Sequence, residues 1–172
     1  STSVECRSPA GLGSLSYELA VTLNGQQYAA PSAWRGYHPP VVATISPTTG
    51  PLGGATVVTA NGTSLAFGSD YRCAFGDAVV NATEVSGAVV NCTSPVGRAG
   101  PAPFRISLNG QQYTEPVFWA FYGAPALAPG TISPSSGPTD GNTSVVVSVA
   151  ALGGGSDYRC AFGAVNAPGA VG

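Results

Sequence analysis

The eight residues SDYRCAFG at Ser69–Gly76 return unchanged at Ser156–Gly163. Other strings repeat around them. LNGQQY occurs at Leu23–Tyr28 and Leu108–Tyr113, TISP followed by Gly-Pro occurs from Thr44 and from Thr131, and Cys6-Arg7-Ser8-Pro9 matches Cys92-Thr93-Ser94-Pro95. The copies lie 85 to 87 residues apart. A period near 86 is the size of one small sandwich domain, so the repeat predicts a domain and not a short solenoid turn.

Between the repeated strings lie ATVVTA, PFRISL, VFWAFY and TSVVVSV. These β-branched and aromatic runs read as strands by propensity and by alternation. The 24 Gly and 15 Pro are scattered without a three-residue period, which excludes collagen and a long helical array. The predicted fold class is all-β. No apolar run reaches the roughly 18 residues of a membrane-spanning helix.

The order of motifs sets the expected domains. Residues 41–123 carry one complete set, from TISP through Cys73, Cys92 and LNGQQY to an aromatic strand. Residues 1–40 carry only the late motifs and are read as the C-terminal part of a unit. Residues 131–172 carry only the early ones and are read as the N-terminal part of the next, with 124–130 as linker. Joining Gly172 to Ser1 of another copy puts 17 residues between Cys160 and Cys6, against 18 between Cys73 and Cys92. The sequence therefore reads as a two-domain window on a head-to-tail array, an excised piece of a longer chain or a chain that shares a domain with its neighbours.

Charge narrows the partners. Six Arg, no Lys and eight acids give a net charge of −2, too little positive charge for a nucleic-acid surface.

Five motifs in sequence carry a family resemblance: ISPTTGPLGGATVVTANGTSL from Ile45, CAFG from Cys73, VVNCTSP from Val89, ISLNGQQYT from Ile106 and FWAFY from Phe118. They resemble the IPT/TIG domain, an immunoglobulin-like module of plexins and related receptors, of some transcription factors and of many large surface proteins. The resemblance implies tandem immunoglobulin-like β-sandwiches. Within that frame Pro47, Pro51, Gly50, Gly53 and Gly54 suit a bent edge strand. Asn24-Gly25 and Asn109-Gly110 suit type I′ hairpin turns. Phe75, Tyr113, Phe118, Trp119, Phe121 and Tyr122 are core candidates.

A unit of this size gains from a staple. A Cys73–Cys92 disulfide closing about 20 residues would contribute roughly 3 kcal/mol. The alternative is a pair of buried thiols. A metal is disfavoured, because the lone His38 precedes Pro39-Pro40 and no second cysteine pair lies nearby. By the same reasoning Cys160 and Cys6 pair with adjoining copies. Disulfides imply an oxidising, extracellular or cell-surface location.

Catalytic motifs are missing, and no catalytic residue is assigned. Asp70 and Asp157 read as turn residues ahead of Tyr-Arg-Cys. No cofactor is expected beyond covalent glycans. Four of the seven asparagines, Asn61, Asn81, Asn91 and Asn142, begin an Asn-x-Ser/Thr acceptor for N-linked glycans. Alternation turns Asn91 outward if Cys92 points inward, and Asn61 and Asn142, beside glycines, suit loops. Ala-Pro and Ser-Pro pairs resemble hydroxyproline O-glycosylation contexts, a compositional hint of O-linked glycans on Pro, Ser or Thr. The leading reading is a structural, non-catalytic extracellular glycoprotein whose units form a rod or fibril core. The alternative is an adhesion module of a receptor ectodomain.

Overall fold

The computed structural model describes residues 3–123, 131–149 and 157–170, and within them every regular element is a strand. The first segment opens with β1 (Ser16–Leu19) and β2 (Ser32–Arg35). It continues with β3 (Val41–Ser46), β4 (Thr49–Pro51), β5 (Val57–Thr63), β6 (Arg72–Phe75), β7 (Ala78–Ser86) and β8 (Val89–Thr93). After these come β9 (Gly100–Pro101), β10 (Phe104–Ser107) and β11 (Ala120–Tyr122). The later segments hold β12 (Ile132–Ser133), β13 (Val146–Val147), β14 (Arg159–Phe162) and β15 (Val165–Pro168). The linker expected at 124–130 lies outside the described residues.

Strands β3 to β11 build a sandwich. One sheet runs β10-β6-β7-β8-β5-β3 and a smaller one β4-β11-β9. Alternation explains the larger sheet: Val58, Ala60, Val90, Cys92, Cys73 and Phe75 point inward and are buried, while Val57, Thr63, Val79, Asn81 and Thr83 point outward and are exposed. Strand β7 serves two partners. Its first half pairs with β6, from Phe75 opposite Ala78 to Arg72 opposite Asn81, and its second half pairs with β8 from Ala82 opposite Cys92.

A disulfide joins Cys73 on β6 to Cys92 on β8, with a Cα–Cα distance of 6.3 Å. Two strand spacings across a flat sheet span about 9–10 Å. The sheet is therefore folded along β7, and the bridge ties the two walls of the fold.

The smaller sheet closes the remaining side. Strand β4 runs parallel to β11, with Thr49 opposite Ala120 and Pro51 opposite Tyr122. It lies at the sheet edge, where proline's missing N–H is tolerated. Trp119 and Phe121 reach from this side into the core. The rings of Phe75 and Trp119 meet edge-on at 5.2 Å between centroids, Phe75 and Phe104 at 5.0 Å, and Trp119 and Phe121 at 5.7 Å. Such edge-to-face pairs add about 0.5–1.5 kcal/mol each beyond area burial.

Two glycines make room for these rings. A Cβ on Gly50 would stand 2.7 Å from the Trp119 ring, and one on Gly97 would stand 2.5 Å from the Phe121 ring. Gly50 is thus required by the indole that lies over it, a reason separate from strand bending.

Three sequence expectations change. Phe118 is 65% exposed and Tyr113 37% exposed. Phe118 precedes the inward Trp119 and so takes the opposite face, and Tyr113 sits opposite Ser107 at the margin of the sheet. The Asn109-Gly110 turn is not type I′. Gly110 has φ 72°, but Asn109 is not among the positive-φ residues. Instead Asn109 Oδ1 accepts from the backbone N–H groups of Gln111 and Gln112, both at 3.1 Å, which holds a wider loop between Ser107 and Tyr113. Asn24 accepts from Gln26 and Gln27 in the same way. Finally, Asn61 lies in β5 and not in a loop.

Truncating Trp119 to Ala is expected to cost about 3–5 kcal/mol, and Gly50→Ala about 1–3 kcal/mol by overpacking. Phe118→Ala should stay within about 0.5 kcal/mol. Urea unfolding followed by tryptophan fluorescence, with Phe118→Ala as control, checks the ranking; for Trp119→Ala, far-UV dichroism replaces the lost signal. Replacing both Cys73 and Cys92 by Ser should lower stability by about 2–5 kcal/mol, read as a fall in the urea midpoint that reductant reproduces in the unmodified chain.

Candidate functional site

The segments on either side of the sandwich repeat its local geometry. Leu19 lies opposite Ser32 and Thr22 opposite Tyr28, as Phe104 lies opposite Val117 and Ser107 opposite Tyr113. Ile132 faces Val147 as Ile45 faces Ala60, and Cys160 faces Ala167 as Cys73 faces Val80. The backbone follows too. Ser133-Pro134 is cis like Ser46-Pro47, Gly141 and Asn142 have φ 84° and 64° where Gly54 and Ala55 have 74° and 64°, and Gly163 and Gly76 share φ 63°. Asn142 thus occupies a left-handed position, which asparagine tolerates better than most residues.

Burial does not follow. Phe104, Ile106 and Leu108 are fully buried, while their counterparts Leu19, Val21 and Leu23 are 52%, 42% and 96% exposed. Trp34 keeps 37% of its surface open where Trp119 keeps none. Ile132 and Phe162 are exposed where Ile45 and Phe75 are buried. Each flanking segment therefore presents to solvent the apolar face that the complete sandwich covers. The repeat is written in the sequence, whereas the exposure of this face is not.

The cysteines divide the same way. Cys73 and Cys92 are bonded to each other, whereas Cys6 is free and exposed and Cys160 is free and half-buried.

The acceptor asparagines occupy distinct settings. Asn61 and Asn81 are exposed on β5 and β7, and Asn142 is exposed between β12 and β13. Asn91 is half-buried on β8, opposite Thr59 on one side and Thr83 on the other, and its Oδ1 is enclosed without a hydrogen-bond partner.

Charged groups are few, and two of the arginines form local pairs with aspartates. Arg72 Nε donates to Asp70 Oδ1 at 2.6 Å and Arg72 Nη1 donates to Asn81 Oδ1 at 2.6 Å. The hydrogen bond and charge of Asp70 raise the Arg72 pKa above its already high ordinary value. Asp157 and Arg159 repeat the pair at 2.9 Å. The Asp-x-Arg spacing carries a legible signal, since residues two apart on a strand share a face. Arg35 lies 3.7 Å from the centre of the Phe67 ring, a cation–π contact with no sequence signature. Burial raises the Tyr37 phenol. Among the described residues, no three His, Cys, Asp or Glu side chains gather as a metal site, and no helix is long and apolar enough to cross a membrane.

The chain resembles known proteins at the level of family, sequence and solved structure. The family model of the IPT/TIG domain matches residues 40–118. Fibrocystin-L of Mus musculus is 36% identical over 74 residues, which are 43% of this chain and 2% of that protein. Among solved structures, the Plexin A4 full extracellular region, domains 1 to 10, superposes with a TM-score of 0.48 at 19% identity, covering 60% of this chain and 9% of that one. The chain thus spans a small fraction of either relative's length. The nine-strand sandwich from β3 to β11 and the family match over most of that stretch give residues 40–118 the pattern of an IPT/TIG domain of immunoglobulin-like fold.

Proposed function

We propose that this chain is a structural, non-catalytic extracellular glycoprotein segment, in which immunoglobulin-like units follow one another head to tail as the core of a rod or fibril. The supporting observation is the pair of flanking segments. Segment 3–36 repeats the pairing of the second half of the sandwich, segments 131–149 and 157–170 repeat that of the first half, and each leaves its core positions open. Leu19, Val21 and Trp34 on one segment match in position the partners that Ile132, Cys160 and Phe162 on the other lack. In the array an adjoining half-unit, continuous with the chain or supplied by another copy, covers these faces, and Cys6 then stands to Cys160 as Cys92 stands to Cys73. Covering such apolar side chains at about 25 cal/mol per Å² is the driving force for association.

The cell-surface adhesion reading has its own observation. Exposed Phe118 stands over a shallow groove of about 190 Å³ lined by Pro101, Pro103, Pro116, Val117 and Trp119, a surface suited to an extended peptide. Its test is binding lost in Phe118→Ala without loss of stability.

Light scattering and non-reducing peptide mapping of the purified chain test the array. We expect assemblies of the 17.0 kDa chain that contain a Cys6–Cys160 linked peptide between copies and that shrink when Trp34 and Phe162 are replaced by Ser. A monomer with both thiols free at high concentration under oxidising conditions overturns the array reading.

A further inference from the structure

Three of the four acceptor motifs lie on strands, and all three are in phase. In an extended strand, residues two apart share a face. Asn61 and Thr63 on β5, Asn81 and Thr83 on β7, and Asn91 and Thr93 on β8 therefore each place amide and hydroxyl side by side on the face opposite the buried Ala60 and Cys92 and the half-buried Ala82. Folding the sheet along β7 makes this face the convex exterior of the sandwich. It is weakly charged and carries Val41, Val57, Val79 and Val85, each more than half exposed.

The three amides differ in freedom. Asn81 is exposed, and Arg72 Nη1 occupies its Oδ1, so the amide nitrogen is the atom left to solvent. Asn61 is exposed and lies opposite Thr44 of β3, the strand at the open edge of the sheet. Asn91 is held between Thr59 and Thr83 in the middle of the sheet with its Oδ1 enclosed.

We propose that this convex face is glycan-bearing, with N-linked oligosaccharides on Asn61 and Asn81 and a bare Asn91. The inference rests on the extracellular reading above and deepens it by naming the sites and the face. The attachment joins the anomeric carbon of a sugar to Nδ2. The C–O bond to a lipid-linked glycosyl diphosphate donor breaks, the diphosphate leaves with the electron pair, and Nδ2 gives up one proton. A glycan on Asn61 also blocks approach to the β3 edge, where unpaired backbone groups invite another strand. The β4-β11-β9 side carries no strand-borne acceptor among the described residues and stays free for packing.

The test is secretion of the full chain from eukaryotic cells, followed by intact mass and by amidase release in heavy-oxygen water, which marks each occupied asparagine as labelled aspartate. Asn61→Gln and Asn81→Gln should each remove one glycan from the mass, Thr63→Val and Thr83→Val should do the same with the asparagines intact, and Asn91→Gln should change nothing. A secreted chain with the Cys73–Cys92 bond formed but no sugar on Asn61 or Asn81 overturns the proposal and leaves the extracellular reading standing. Sugar on Asn91 overturns it as well. A retained chain with Cys73 and Cys92 reduced overturns both.

Discussion

The fold of the large sheet along β7 is the constraint on which the remaining structure depends. A strand of nine residues that exchanges partners halfway brings Cys73 and Cys92 to a Cα–Cα distance of 6.3 Å. With the two walls fixed at that separation, Phe75 is held in the angle between them, and Trp119 and Phe104 pack against it edge to face, with Phe121 tilted alongside. The disulfide constrains the unfolded chain, while the aromatic cluster supplies burial that a small unit otherwise lacks. Neither substitutes for the other. The rings fit only because Gly50 and Gly97 leave space beside them.

Much of this is legible in the sequence, and the limits have physical causes. The all-β class and the disulfide partners follow from period-2 patterns and from cysteine spacing; period 2 also sets Asn91 opposite Cys92, but Thr59 and Thr83 beside it leave it half-buried and not open to solvent. An aromatic run names strand content without naming its phase; Trp119 fixes the phase, and Phe118 then has to face out, while Tyr113 is left half open by its place opposite Ser107 at the sheet margin. The Asn-Gly loops were assigned from a dipeptide, whereas their width is set by Gln111 and Gln112, whose N–H groups turn toward the Asn109 side chain. Asn61 beside Gly62 suggested a loop. Gly62 instead lies in β5, where a Cβ would collide with the Val41 carbonyl oxygen of the neighbouring strand.

The candidate surfaces were less legible than the fold. That residues 3–36 and 131–170 correspond to parts of the sandwich is written in the repeats, but exposure is a property of what packs nearby. Leu23 and Leu108 stand in the same hexapeptide with the same loop, and one is 96% exposed while the other is fully buried. Local sequence sets the hairpin, and burial is set by the presence of the other half. The same distinction separates Asn81 from Asn91: their motifs read alike, and only their neighbours across the strands differ.

The parallel pairing of β4 with β11 carries a kinetic consequence. It joins the beginning of the sandwich, at Thr49, to its last strand, at Ala120, so the ladder is among the most non-local contacts in the fold, and such contacts form slowly. During synthesis at about 5–20 residues per second, Trp119 and Phe121 emerge seconds after Phe75. For that interval the nascent sheet exposes an aromatic ring and an open wall. A folding helper that holds apolar surface would find its binding window there, ahead of closure by the final strand.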